Sequence, residues 1–290
     1  MEPAIDWTFR AMGADWRIHH AGGVSGADAQ AVAAAVLADE RRWSRFLPQS
    51  DVSRITREAG RPVGVTRETI DLVEAARAWS ARTDGVFQPL VGSHLAAWGY
   101  RAGVGDGAPA AAPDTTAAVD AAAILLSRRE GTIAIPAGTA LDLGGIGKSW
   151  AAVRAGRLLA DRCDDQRLII DAGGDLAIVR GTHRVETAAG AVVAAEGTGV
   201  ATSSSERRAW SLGDGTVAHH LIDAATGTPC GRGTAVVAGI DPVAADVLAS
   251  CLVIDPLLLG RIGAPAALVD ATGLVTPGSS WSDVAGGVRG

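Results

Sequence analysis

The chain has 290 residues, 48 % of them apolar and 20 % charged, which suffices for a substantial core and excludes disorder along its whole length. Its 32 acidic and 26 basic side chains leave a net charge of −6, with no basic surplus to favour nucleic acid or an anionic membrane. Cys163, Cys230 and Cys251 are too few and too scattered for a disulfide framework or a cysteine zinc site. No apolar run approaches the ~18 residues of a membrane span. The opening Met1-Glu-Pro-Ala-Ile-Asp6 lacks the basic head and apolar stretch of an export signal, so a cytoplasmic protein is expected.

In chain order, two strands are predicted at Ile5–Arg10 and Ala14–His20 around a turn at Met12-Gly13. A helix follows from Ala27 to Trp43, capped by Ser25, with Val32, Val36 and Leu37 as its apolar stripe. Residues 47–53 read as a loop, and a second helix runs from Glu68 to Arg82 with Thr66 at its start. The Gly-, Ala- and Pro-rich stretch 103–113 reads as an exposed connector. Strands at Ile124–Ser127 and Thr132–Ile135 lead to a glycine-rich turn at 144–147 and a helix from Ser149 to Asp161. Short strands fill 167–240, and a helix spans Pro242–Val253. Because strands and helices do not alternate as βα units, the expected class is α+β, with mainly antiparallel sheets.

Five segments can carry chemistry. In Leu141-Asp-Leu-Gly-Gly-Ile-Gly-Lys-Ser149 the ending resembles a P-loop, but Asp142 stands where that loop needs glycine, and a carboxylate there repels a triphosphate. What remains is a glycine turn opening a helix, suited to a phosphodiester or pyrophosphate with a metal nearby. Lys148 is the single lysine among 26 basic residues, which suggests a site where a compact ammonium is needed. Asp246 and Ser250 stand i, i+4 on one helical face and can share a hard cation such as Mg²⁺, although such a pair more often only meets solvent. In His219-His220 a strand would send the rings to opposite faces, so one can serve as general base; alone, a partly buried structural His is the commoner case. Asp171-Ala-Gly-Gly-Asp175 is a tight turn at a strand end, as consistent with structure as with ligand contact. Thr202-Ser-Ser-Ser205 with Glu206-Arg-Arg208 reads more readily as an exposed loop than as a polar cradle.

Taken in order, these and three further segments resemble the ApbE family of FAD:protein FMN transferases. The matching pieces are Phe9-Arg-Ala-Met-Gly-Ala14, Ser50-Asp-Val-Ser-Arg-Ile55, Thr83-Asp-Gly-Val-Phe-Gln-Pro89, Leu141–Lys148, Asp171–Asp175, Val200-Ala-Thr-Ser203, His219–Asp223 with Thr226-Gly227, and Ala245–Ser250. The resemblance implies the family's α+β fold as a single catalytic unit over 1–290, with an FAD cleft. It implies FAD contacts at Met12, Phe46, Val86, Phe87, Gln88, Asp142, Lys148 and Leu221. It further implies a Mg²⁺ ion on Asp246, Ser250 and the main-chain oxygens of Gly145 and Ala249, with His220, Lys148 and Asp246 as the catalytic set. The implied reaction moves FMN from FAD to a Thr or Ser hydroxyl, within an Asp-x-x-(Ser/Thr)-Gly-Ala-(Ser/Thr) segment of an acceptor protein, and releases AMP. Water in place of the acceptor would make the same site an FAD pyrophosphatase, and lapsed catalysis would leave an FAD-binding protein. The chain departs from the family pattern at Gln88 (usually Asp), Ala224 (usually Pro) and Ser250 (usually Thr).

Overall fold

The computed structural model describes residues 5–101, 107–114 and 119–286. Its centre is an eight-stranded sheet in the order Ile5–Ala11, Ala14–His20, Leu168–Ala172, Leu176–Arg180, Gly199–Ser204, Thr234–Ile240, Ala266–Val269 and Val275–Pro277. Every neighbouring pair is antiparallel, in keeping with the α+β expectation.

Period-2 alternation gives the sheet two apolar faces. On one face Ile18, Leu168, Ile170, Ala201, Ala235, Val237 and Ala266 join the main core, and on the other Ile178, Val200, Val236, Ala238 and Ala267 form a second cluster. The first face is covered by helices. Helix α1 (Gly26–Trp43) is capped by Ser25, whose side chain accepts from the Asp28 N–H, and it buries Ala29, Val32, Val36 and Trp43. Leu37, expected in that stripe, is exposed, because it lies one residue, about 100°, round from Val36. Two short helices and a long one follow in sequence: α2 (Asp51–Arg57), α3 (Arg67–Arg82) and α4 (Gly92–Ala97). Helix α5 (Gly147–Ala160) packs on the strands Leu168–Ala172 and Leu176–Arg180, and on α1. Helix α6 (Pro242–Ile254) packs on Gly199–Ser204 and Thr234–Ile240 and touches α5. The second face is covered by Val192 and Ala194 of the hairpin His183–Thr187/Gly190–Ala194, and by Trp281 and Val284.

Two further expectations change. Residues 47–53 are not all loop: Ser50 caps α2 by accepting from the Ser53 N–H, and Asp51 accepts hydrogen bonds from the Thr66 and Thr69 hydroxyls. Helix α5 starts two residues before Ser149, which places Lys148 in its first turn. Of the connector 103–113, residues 103–106 lie outside the described residues, and residues 107–113 are exposed or half-buried as expected, tethered where the Pro109 carbonyl accepts from the Gly213 N–H. Among the described residues no helix is long and apolar enough to cross a membrane.

His19 links the first hairpin to the turn that follows Leu168–Ala172. Asp171 lies 4.0 Å from its Nε2 and Asp6 2.7 Å from its Nδ1, and their carboxylates, Asp171 foremost, raise its pKa against the opposing effect of burial. A raised folded-state value means stabilisation that is complete below the unfolded value of about 6.5 and lost as pH rises through the folded value. Thermal melts across about pH 5 to 9 should therefore show wild type ahead of His19→Gln at the acid end, with the gap closing upward; a constant gap would refute the linkage.

Candidate active site

A cleft of about 550 Å³ opens beside the edge of α5 and is walled by the hairpin turn 12–13, the 44–46 and 86–88 loops, the 142–148 turn, the strand end 202–204 and the face of α6. Its elements are placed by local chemistry. Met12 and Gly13 form a two-residue hairpin loop with φ of +51° and +68°, the left-handed pair that such a tight loop needs. Asn, Asp or Gly is the usual choice at the first position and Gly at the second, so Met12 holds an uncommon backbone conformation that turns its side chain to the cleft. Helix α3 ends at Thr83, whose hydroxyl accepts from the Phe87 N–H, and so sets Val86, Phe87 and Gln88 on the cleft wall. Gly145 lets the turn approach Phe87 closely, since a Cβ there would stand 3.3 Å from the ring.

Every residue implied as an FAD, metal or catalytic contact lines this one cleft except Ala249, which is fully buried in α6, whereas Asp171, Ser205, Glu206 and His219 lie outside its lining. Asp142 accepts from the Gly144 N–H at 2.8 Å and pairs with Arg45 Nε at 2.7 Å. The Arg45 guanidinium is stacked 4.5 Å from the Phe46 ring centre and 4.7 Å from that of Tyr100. Phe46 and Tyr100 meet edge to face at 5.4 Å, so an aromatic wall with a cation between its rings stands at the cleft. Gln88 is buried; its amide nitrogen donates to the Val119 carbonyl at 3.1 Å, and its Oε1 has no hydrogen-bond partner. The turn carrying Ala224 is closed despite the missing proline, because the Asp223 side chain accepts from the Ala225 N–H and the Thr226 hydroxyl.

At the floor, the Lys148 ammonium is ion-paired with Asp175, and Asp246 stands close by. A cation in the first turn of a helix opposes the helix dipole, so Asp175 compensates both that and the burial of Lys148. Burial lowers the Lys148 pKa, but the Asp175 and Asp246 charges outweigh it and the net shift is upward. Burial, and then the charge of Asp175, push the Asp246 carboxyl up to about 7, with Lys148 pulling the other way. Asp246 Oδ2 has no hydrogen-bond partner, and one turn on, the Ser250 hydroxyl shares a 2.8 Å hydrogen bond with Ser203. That orphaned carboxylate oxygen beside a hydroxyl is the donor chemistry of a hard cation. Among the described residues no three His, Cys, Asp or Glu side chains cluster as a metal cage, so substrate and backbone oxygens must complete such a site.

His219 ends its strand, accepts from the Leu221 N–H through Nδ1 and does not line the cleft. His220 lies just beyond and does. Burial, helped by the charges of Arg208, His219 and Lys148, pushes it down to about 3, so the ring is neutral, and its buried Nδ1 has no hydrogen-bond partner. Sequence reasoning did not identify Arg45 or Tyr100, and it rated Asp175 and Arg208 as no better than turn and loop residues. Only Asp175 carried a signal, its position after the glycine pair.

Fold and cleft together define an α+β protein with a glycine-lined pocket of mixed charge, suited to a phosphate-bearing substrate and a hard cation. The chain belongs to the ApbE family, whose sequence profile matches residues 12–258. It is 30 % identical over 263 residues to the FAD:protein FMN transferase of Klebsiella pneumoniae, covering 81 % of this chain and 73 % of that one. The FAD:protein FMN transferase of Salmonella typhimurium is 28 % identical over 267 residues, with the same shares. In fold it matches the ApbE protein of Thermotoga maritima (TM-score 0.83, 23 % identity, 97 % of this chain and 98 % of that one). It matches the flavinyl transferase ApbE of Pseudomonas stutzeri equally closely (TM-score 0.82, 19 % identity, 98 % of each chain).

Proposed function

We propose that this chain is a Mg²⁺-dependent FAD:protein FMN transferase that joins FMN to a Thr or Ser hydroxyl of an acceptor protein and releases AMP. The observation that supports the reading best is the orphaned Asp246 Oδ2 beside Ser250, in a cleft that also has a neutral His220 and the glycine turn of a family member. FAD would lie with its rings against Met12, Phe46 and Leu221, and its pyrophosphate over the 144–148 turn. The ion would be held by Asp246 and Ser250 with the Gly145 carbonyl and the second lone pair of the Ala249 carbonyl, and would supply Lewis-acid charge neutralisation at the phosphoryl oxygens.

The acceptor hydroxyl oxygen forms a bond to the phosphorus on the FMN side, and the bond from that phosphorus to the bridging oxygen breaks, so that AMP leaves with the electron pair. His220 Nδ1 is free to accept the hydroxyl proton. Burial is the main cause of its low basicity, and a phosphate beside Arg208 and Lys148 would offset only the smaller contribution of their charges. Lys148 holds Asp175 and its charge opposes the rise in the Asp246 pKa, and Arg45 fixes Asp142 at the entrance of the glycine turn.

The test is purified protein with FAD and Mg²⁺, with and without a protein bearing an Asp-x-x-(Ser/Thr)-Gly-Ala-(Ser/Thr) segment, following AMP release and flavin fluorescence that survives denaturation. Labelling that needs both metal and acceptor is expected. AMP release without labelling of any acceptor would replace transfer by hydrolysis, and tight FAD binding with no product would reduce the protein to a flavin binder.

A further inference from the structure

The cleft contains several cations, and charge accounting separates them. Arg45 is paired with Asp142, the exposed Arg10 with Asp15, and Lys148 with Asp175. Arg207 is exposed and reaches only the Gly173 carbonyl, at 3.5 Å. Arg208 lines the cleft half-buried, and among the described residues its guanidinium has neither an ion pair nor a side-chain hydrogen bond.

Its position follows from strand register. Ala209 pairs with His219 in the antiparallel ribbon Ala209–Ser211/Val217–His219, so Arg208 falls opposite His220 at the ribbon's end. That end faces Lys148, and the Arg208 charge acts on both His220 and Lys148. A half-buried guanidinium without a partner is unfavourable, so an anion of the substrate is its natural complement. The neighbouring carboxylates cannot serve as that anion. Lys148 holds Asp175, and Asp246 is the residue whose free oxygen awaits a cation. Before a cation binds at Asp246, Lys148 offsets only one of these two carboxylates, and Arg208 supplies the charge that offsets the other.

We propose that Arg208 is the pyrophosphate-gripping catalytic residue of this cleft, and that Lys148 serves the acidic pair instead of the substrate. The inference rests on the proposed flavin transfer for the identity of the substrate, but not for the anion site itself. The planar fork of a guanidinium can engage two phosphoryl oxygens at once and stay with them as charge builds at the transferring phosphorus.

Calorimetric titration of inorganic pyrophosphate, FAD and riboflavin into wild type, Arg208→Gln, Arg208→Lys and Lys148→Met tests it. Arg208→Gln should weaken pyrophosphate and FAD by about 10-fold or more while riboflavin, which has no phosphate, is unchanged; Arg208→Lys should recover part of the loss. Unchanged thermal melting of Arg208→Gln separates this from a folding defect. Pyrophosphate that fails to bind wild type, or binds Arg208→Gln as well as wild type, overturns the inference. So does a loss confined to Lys148→Met, which returns the role to the lysine. Covalent labelling by wild type is scored separately, so an intact pyrophosphate site without labelling would count against flavin transfer alone.

Discussion

Asp246→Asn is expected to lower FMN transfer by about 10²–10³-fold, the scale set by removing one preorganised group that stabilises charge in a transition state. FAD affinity should change far less, because the implied ring contacts, Met12, Phe46, Leu221 and the 86–88 loop, lie on other elements of the cleft wall. The contrast follows from the oxygen that the fold leaves free, since Ser149 hydrogen-bonds the carboxylate without satisfying both of its oxygens. Its Oδ2 makes no hydrogen bond, and burial raises its pKa. A folded pKa above the unfolded value means that ionised Asp246 costs stability as pH rises past the unfolded value of 3.8, toward and beyond the folded value near 7. The asparagine should therefore melt no lower than wild type at neutral pH. Loss of turnover with retained melting and retained FAD binding is the pattern of a metal ligand; unchanged turnover would remove Asp246 from the chemistry.

The largest effect on folding is expected at Gly231→Ala. Gly231 has φ of +86°, and a Cβ there would stand 1.8 Å from the Val253 carbonyl oxygen on α6. Neither end of that clash can yield cheaply: one is helix backbone, and the other is tied to the site, because the Cys230 N–H donates to the Leu221 carbonyl. Moving the loop to admit a methyl would displace Leu221 and His220 from the cleft wall. We expect a loss of about 4 kcal/mol or more, the range of strained or overpacked backbone sites, and a fall in Tm of roughly 10 °C. Gly190→Ala is the control, because Gly190 has φ of +98° with nothing within 4 Å of a Cβ, so only the local conformational penalty of about 1 kcal/mol applies. Equal effects at the two glycines would show that the close approach to α6 does not matter.

Helix ends were legible because their signals are local. Ser25 and Thr66 each accept an N–H three residues on, which is a property of a few consecutive residues. Helix α2 was missed because seven residues give barely two turns, too few for periodicity, although its cap at Ser50 was written in the chain. The site divides in the same way. Asp246 and Ser250 share a face by helical spacing alone, and Asp142, the glycine turn and Lys148 are contiguous.

By itself, then, the sequence determined the α+β class, the capped helices, the ApbE motifs and a set of candidate site residues that, Ala249 apart, line one cleft, because each depends on short-range spacing or on order along the chain. The tertiary structure alone decided which charges cancel. That Lys148 meets Asp175, that Arg45 is held between Phe46 and Tyr100 on Asp142, and that Arg208 stands unpaired opposite His220 depend on strand neighbours far apart in the chain. The strand Ala14–His20 lies beside Leu168–Ala172 because both bury one face under the same helices, and no local pattern encodes that choice of neighbour. Charge pairing follows from such neighbours, so residue types could nominate the cations of this site, but only packing could show which of them is left for a substrate.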